Sequence, residues 1–147
     1  MTSDPDAPVV PTDHTGLQVL SLDECLTHLA QTPVGRVAFH LDGEIAVLPV
    51  NHTLEGVDVC FRTLGNSKVQ AAVDRERVAF EVDGYDESTK DGWSVLVQGT
   101  AIIVADPDEV RRLDSIARKP WVPGDPSEMT WIRVSTQAVT GRALVRF

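Results

Sequence analysis

Two cations and several hydrogen-bond donors crowd the stretch Arg62-Thr63-Leu64-Gly65-Asn66-Ser67-Lys68. Arg62 and Lys68 bring charge; Thr63 and Ser67 bring hydroxyls. A lysine in the first turn of a helix faces the positive end of the macrodipole, which is mildly unfavourable. A bound anion reverses that sign. Together with free backbone N–H groups at 66–69, these side chains suit a phosphate. Charge-assisted hydrogen bonds of this kind contribute about 1.5–3 kcal/mol each. The alternative is a solvated turn capped by Asn66, with both basic side chains exposed. The spacing G-x-x-x-x-G-K-[ST] is absent, so nucleotide hydrolysis has no support. No G-x-S-x-G nucleophile motif is present either. The histidines at 14, 28, 40 and 52 lack metal-ligand spacing, and no metal site is expected. Asp106/Asp108 and Asp83/Asp86 fall at helix caps and loops, where capping and solvation explain them.

The elements around this stretch follow from periodicity. Ser21-Leu22-Asp23-Glu24 has the spacing of a capping box. Leu22, Cys25, Leu26 and Leu29 then mark one helix face, and Thr32-Pro33 ends it. From Val34 the period becomes two: Val37, Phe39 and Leu41 alternate with Arg36, Ala38 and His40. Asp42-Gly43 signals a hairpin turn. Glu44 to Asn51 is nearly all apolar, which predicts a strand buried on both faces. Leu54-Glu55-Gly56 turns the chain into a third strand, Val57 to Arg62. A short helix carrying Val69, Ala72 and Val73 follows, then a strand over Arg77 to Val82. Gly84 to Gly92 reads as a polar loop. A long strand, Ser94 to Val104, has Gly99 at a bend or bulge. Asp106-Pro107-Asp108-Glu109 starts a helix that buries Val110, Leu113, Ile116 and Ala117. Lys119 to Ser127 is a proline-rich loop, and Thr130 to Phe147 gives one or two strands, interrupted near Thr140-Gly141.

The short connections make the sheet mostly antiparallel. Closing it into a small barrel removes exposed edges. The predicted fold is mainly β, a six-stranded barrel with flanking helices. The chain has 147 residues, enough for one domain with a real core. Residues 1–16 read as a flexible tail and 17–147 as the domain. The tail lacks the basic and apolar regions of a signal peptide. No apolar run approaches the roughly 18 residues of a membrane span. The expectation is a cytoplasmic protein. Net charge is −9, which argues against nucleic acid or an anionic membrane as a partner. Cys25 and Cys60 form no CxxC pair and read as buried, reduced thiols.

The run GRVAFHLDGEIAVLPVNHTLEGVDVCFRTLGNSKVQAAV, then VAFEV and DGWSVLVQGTA, resembles the pyridoxamine 5′-phosphate oxidase-like, flavin-binding split-barrel family. The ending WIRVSTQAVTGR is similar to its small actinobacterial-type branch. The resemblance spans about residues 20–147. It implies a six-stranded antiparallel split barrel that pairs as a homodimer, with two cofactor sites at the subunit interface. The implied cofactor is FMN, or in some branches a deazaflavin.

Residue by residue, the resemblance gives Ala46, Val47, Leu48, Pro49 and Val50 as the strand along the flavin ring. Phe61 and Arg62 match the strand end touching ring and phosphate. Thr63, Ser67 and Lys68 match the phosphate cradle. Trp93 and Ser94 match the strand start that reaches the partner subunit's flavin, and Trp131 lies near the ring. Packing alternatives stand beside these roles: Pro49 as a bulge marker, Trp93 as interface packing, Trp131 as core.

Two departures argue against pyridoxamine phosphate as the substrate. Ser67 stands where the vitamin B6 oxidases have a second basic residue. No histidine follows His52, so their C-terminal arginine–histidine pair is missing. The implied activity is an FMN-dependent oxidoreductase acting on an unidentified small molecule. The alternatives are a deazaflavin-dependent reductase or a non-catalytic flavin- or haem-binding module.

Overall fold

A computed structural model describes residues 11–64 and 68–144. Several sequence signals acquire partners. The Ser21 hydroxyl accepts from the Glu24 N–H while the Glu24 carboxylate accepts from the Ser21 N–H. This reciprocal box opens helix α1 (Leu22–Gln31), which Thr32 closes. Strand β2 (Val34–Leu41) turns through Asp42 and Gly43, both at positive φ, into β3 (Glu44–Glu55). Positive φ at both central residues is what a tight hairpin of right-handed twist requires. Then come β4 (Asp58–Leu64), the short helix α2 (Lys68–Val73), β5 (Arg77–Asp86) and β6 (Asp91–Ile103). Helix α3 (Pro107–Ile116), capped by Asp106, a single 3-10 turn at Pro126–Glu128 and the long β7 (Met129–Leu144) complete the chain.

The strands run in the order β7-β4-β3-β2-β5-β6, and β6 pairs back to β7, closing a six-stranded antiparallel barrel. A two-residue strand, β1 (Gln18–Val19), adds to β7 at Arg142 and Ala143. Within the segment read as tail, Thr12 bridges Gln18, and the Asp13 carboxylate binds Arg142 at 2.6 Å. Residues 1–10 lie outside the described residues.

The barrel interior is filled by Val37, Phe39, Phe61, Phe80, Val82, Val95, Val97 and Ile132, and closed by Cys25 and Leu29 of α1 and Val73 of α2. A second, smaller cluster lies on the outer face of β4 and β7. There α3 places Leu113 over Cys60, Val104 and Trp131. Burial pushes the Cys60 thiol up to about 12.

Four expectations are corrected. Glu44 to Asn51 is not buried on both faces: Ile45 is 73 % and Val47 57 % exposed. The loop expected over Gly84 to Gly92 shrinks to a turn at Glu87 to Lys90, since β5 and β6 stay paired out to Asp86 and Asp91; cross-strand pairing overrides the local turn preference at its ends. The last strand does not break at Gly141. A side chain there would meet Cys25 Sγ at 2.5 Å and Leu20 at 3.0 Å, so the glycine serves close approach of α1 and the residue leading into it. Ile116 is exposed, because α3 rests on the barrel through Val110, Leu113 and Ala117.

Gly99 is at a bulge, as its sequence context indicates. Gln98 pairs Ala138 but Gly99 pairs Thr136, leaving Gln137 unmatched. A Cβ on Gly99 would sit 2.2 Å from the Ser135 carbonyl oxygen. That neighbour is backbone and cannot turn aside. Gly99→Ala is therefore expected to cost about 3 kcal/mol, lowering the thermal midpoint by roughly 10 °C. An unchanged melting curve would show the bulge to be malleable.

Candidate functional site

β3 is paired with β2 along its whole first half, Glu44 to Asn51. On its other side it pairs with β4 only from His52 onward. The facing end of β4, Arg62 to Leu64, stays paired to β7. So the barrel splits here: two strand edges face each other with no ladder between them among the described residues. Backbone donors and acceptors of β3 are left open along an apolar strand.

A cleft of about 250 Å³ occupies this split. One wall is Pro49 to Thr53 with Val34. The other is Arg62, Met129 and Trp131. The loop carrying Arg118, Pro120, Trp121 and Val122 roofs it. Three hydrogen bonds hold that loop in place. The Trp121 N–H donates to Asn51 Oδ1 at 2.9 Å, the Arg62 guanidinium donates to the Arg118 carbonyl at 3.0 Å, and Arg118 donates to the Ala30 carbonyl.

The electrostatics are lopsided. Arg62 is only 10 % exposed at its side chain, and lies 4.7 Å from the centre of the Trp131 ring. Its nearest carboxylate, Asp114, is 3.7 Å away and already accepts the Trp131 indole N–H at 2.8 Å. Burial pulls the Arg62 pKa down, and Asp114 only partly opposes this. His52 is 2 % exposed. Its Nε2 lies 2.8 Å from the Leu29 carbonyl, so it donates, and Nδ1 keeps a lone pair. No described group hydrogen-bonds to that Nδ1. Burial depresses the His52 pKa, the bond to Leu29 opposes this, and the Arg118 charge adds to the depression.

Of the residues read from sequence, Pro49, Val50, Arg62 and Trp131 meet in the cleft. Ala46 packs on the barrel core, while Val47 and Leu48 stand exposed on the same strand. Phe61 is fully buried inside the barrel, on the strand face opposite Arg62. Thr63 comes next on that interior face; its Oγ1 is buried with no hydrogen-bond partner among the described residues. Ser67 and the Lys68 side chain lie outside the described residues; Lys68 is the first residue of α2. Trp93 stacks on His28 with ring centres 3.8 Å apart, and Ser94 is exposed beside it. Neither lines the cleft.

Sequence reasoning missed Asn51, His52, Arg118, Trp121 and Met129. All but Trp121 are unremarkable in their own segments. The one available signal was Trp121-Val122, an apolar pair inside an otherwise polar, proline-rich loop. Large apolar residues in such a loop need a surface to cover.

Comparisons with known proteins agree with this fold. Residues 21–143 match the family described as pyridoxamine 5′-phosphate oxidase. An uncharacterized Mycobacterium tuberculosis protein, Rv0080, is 35 % identical over 131 residues, covering 86 % of this chain and 84 % of its own. The FAD binding protein of Mycobacterium smegmatis superimposes with a TM-score of 0.74 at 29 % identity, covering 86 % of this chain and 99 % of that one. A conserved Corynebacterium diphtheriae protein of unknown function gives 0.73 at 32 % identity, over 88 % and 98 %.

Proposed function

Because the chain belongs to the pyridoxamine 5′-phosphate oxidase family and has its flavin-binding split-barrel fold, we propose that it is a cytoplasmic, homodimeric, FMN-dependent oxidoreductase acting on a small molecule other than pyridoxamine phosphate. The observation that carries the reading is the split itself. An otherwise closed barrel leaves Glu44 to Asn51 unpaired on one edge, and continuing the β3–β4 register sets Val50 opposite the unsatisfied hydroxyl of Thr63. Natural barrels rarely leave an apolar edge open without an occupant.

Backbone groups of Ala46 to Val50 hold the flavin ring in this reading. Thr63, with Ser67 and Lys68, holds its phosphate. A second subunit covers Ile45 and Val47, and its Trp93 and Ser94 border the same cofactor. The bound flavin supplies hydride or electron transfer; the chain supplies position, a dry surface and charge. A second reading, FAD in place of FMN, is favoured by the Mycobacterium smegmatis relative named for FAD.

The test is a titration of the purified protein with FMN and with riboflavin, which lacks the phosphate, followed by flavin fluorescence. FMN is expected to bind more tightly. Lys68→Ala is expected to weaken FMN by about ten- to a hundredfold, the loss of one charge-assisted contact, and to leave riboflavin unchanged. Equal affinity for the two flavins would defeat the phosphate assignment. Mass analysis of any co-purifying chromophore separates FMN, FAD and a deazaflavin.

A further inference from the structure

The cleft carries two guanidinium groups and no lining carboxylate. We propose that it binds the anionic end of a flat, largely apolar small molecule, an aromatic or conjugated carboxylate, next to the flavin. The neighbouring flavin rests on the reading above, with its ring along Ala46 to Val50 and its phosphate on Thr63, Ser67 and Lys68; Arg62, which the resemblance matched to the flavin, is here assigned to the second ligand, and the cleft's own chemistry stands on the residues that line it.

Arg62 is nearly buried and weakly neutralised. Its one close acceptor is a backbone carbonyl, and Asp114 lies beyond hydrogen-bond distance with its near oxygen already engaged. Arg118 makes no ion pair within the described residues, and its observed bond is to the Ala30 carbonyl. A guanidinium presents five N–H donors in a planar fork, so both side chains have donors to spare. A carboxylate matches that fork in shape and charge. His52 in the same wall is held neutral and adds neither a rival anion nor a third cation. In a chain of net charge −9, a local cationic hollow is the place where an anion is drawn in.

The remaining lining defines the other end of the ligand. Val34, Pro49, Val50, Val122 and Met129 are apolar, and Trp121, 68 % exposed, offers an indole at the mouth. Such a surface takes an aromatic ring by stacking. A volume of about 250 Å³ lies at the small end of ligand cavities. Metal cations are repelled, and sugars would leave the apolar wall unused.

An anion could also come from the cofactor's own phosphate tail, and the experiment separates the two sources. Calorimetry with 2-naphthoate and its uncharged counterpart 2-naphthol is run on the FMN-loaded and the FMN-free protein. Naphthoate is expected to bind at least about tenfold more tightly than naphthol in both forms. Arg118→Gln should erase most of that difference with little change for naphthol, and Trp121→Ala should weaken both ligands. Trp121 is exposed, so its variant remains informative if Arg118→Gln melts early. The proposal is overturned if the two ligands bind alike, if FMN displaces naphthoate, or if Arg118→Gln changes nothing. Naphthoate binding without FMN binding would sink the flavin reading alone. FMN binding without naphthoate binding would sink this one alone.

Discussion

Val47→Glu is expected to convert the proposed dimer into monomers and to release the flavin with the partner. Val47 is 57 % exposed in the single chain and contributes nothing to the barrel core. The monomer fold should therefore survive. Under a two-fold interface the substitution buries two carboxylates at once. An uncompensated charge taken out of water costs several kcal/mol, so association should weaken by more than about a hundredfold. Light scattering after size exclusion gives the mass, and flavin fluorescence gives the bound fraction. A variant that stays dimeric with its flavin in place would remove β3 from the interface. A wild-type chain that is monomeric at micromolar concentration defeats the assembly altogether.

Arg133→Ala should give the largest loss of stability among polar positions. Its guanidinium reaches three carboxylates: Glu109 at 2.7 Å, Asp58 at 3.1 Å and Glu55 at 2.5 Å. Arg112 adds a bond to Glu55 at 2.9 Å. Through these contacts β7 is tied to the β3–β4 turn and to α3. The Arg133 side chain is 14 % exposed, so its removal strands three partly buried anions. Breaking such a network costs about 3–5 kcal/mol, or roughly 10–15 °C in thermal midpoint.

The pH dependence follows from Glu55. Hydrogen bonds from Arg112 and then Arg133 hold its carboxyl at about 2, below the ordinary 4.5. A folded-state pKa below the unfolded one adds stability that is full above pH 4.5 and lost as pH falls towards 2. The gap between wild type and Arg133→Ala should thus shrink from pH 5 to pH 3. A constant or widening gap in thermal melts would rule Glu55 out as the origin.

Local signals made most of the fold legible. The capping box at Ser21, the Asp42-Gly43 turn, the Asp106-Pro107 helix start and the irregularity at Gly99 each depend on a few adjacent residues. Two of the misreadings have a different cause: the deciding contact or exposure is a property of the folded chain and not of adjacent residues. An apolar run such as Glu44 to Asn51 reports that the strand suits cover, and does not record that Ile45 and Val47 stand exposed on the folded chain. Gly141 looked like a break because the reason for a glycine, the approach of Cys25, is more than a hundred residues away. The site divides the same way. Arg62 was found by its charge beside a strand end. Asn51, Arg118 and Trp121 matter because the fold brings a strand and a distant loop together, a meeting that no spacing in the sequence records.

The unmatched Gln137 has a consequence for the whole C-terminal strand. Before it, Ile132 and Val134 point into the barrel; after it, Val139, Gly141 and Ala143 do. The inward parity changes from even to odd across a single residue. No one alternation can therefore be read along residues 129–144, because the extra residue shifts the phase by one. Removing Gln137 would restore a single alternation with Val139, Gly141 and Ala143 still inward, whereas an unbulged strand of the present length would set Thr140 and Arg142 against the oil of the interior.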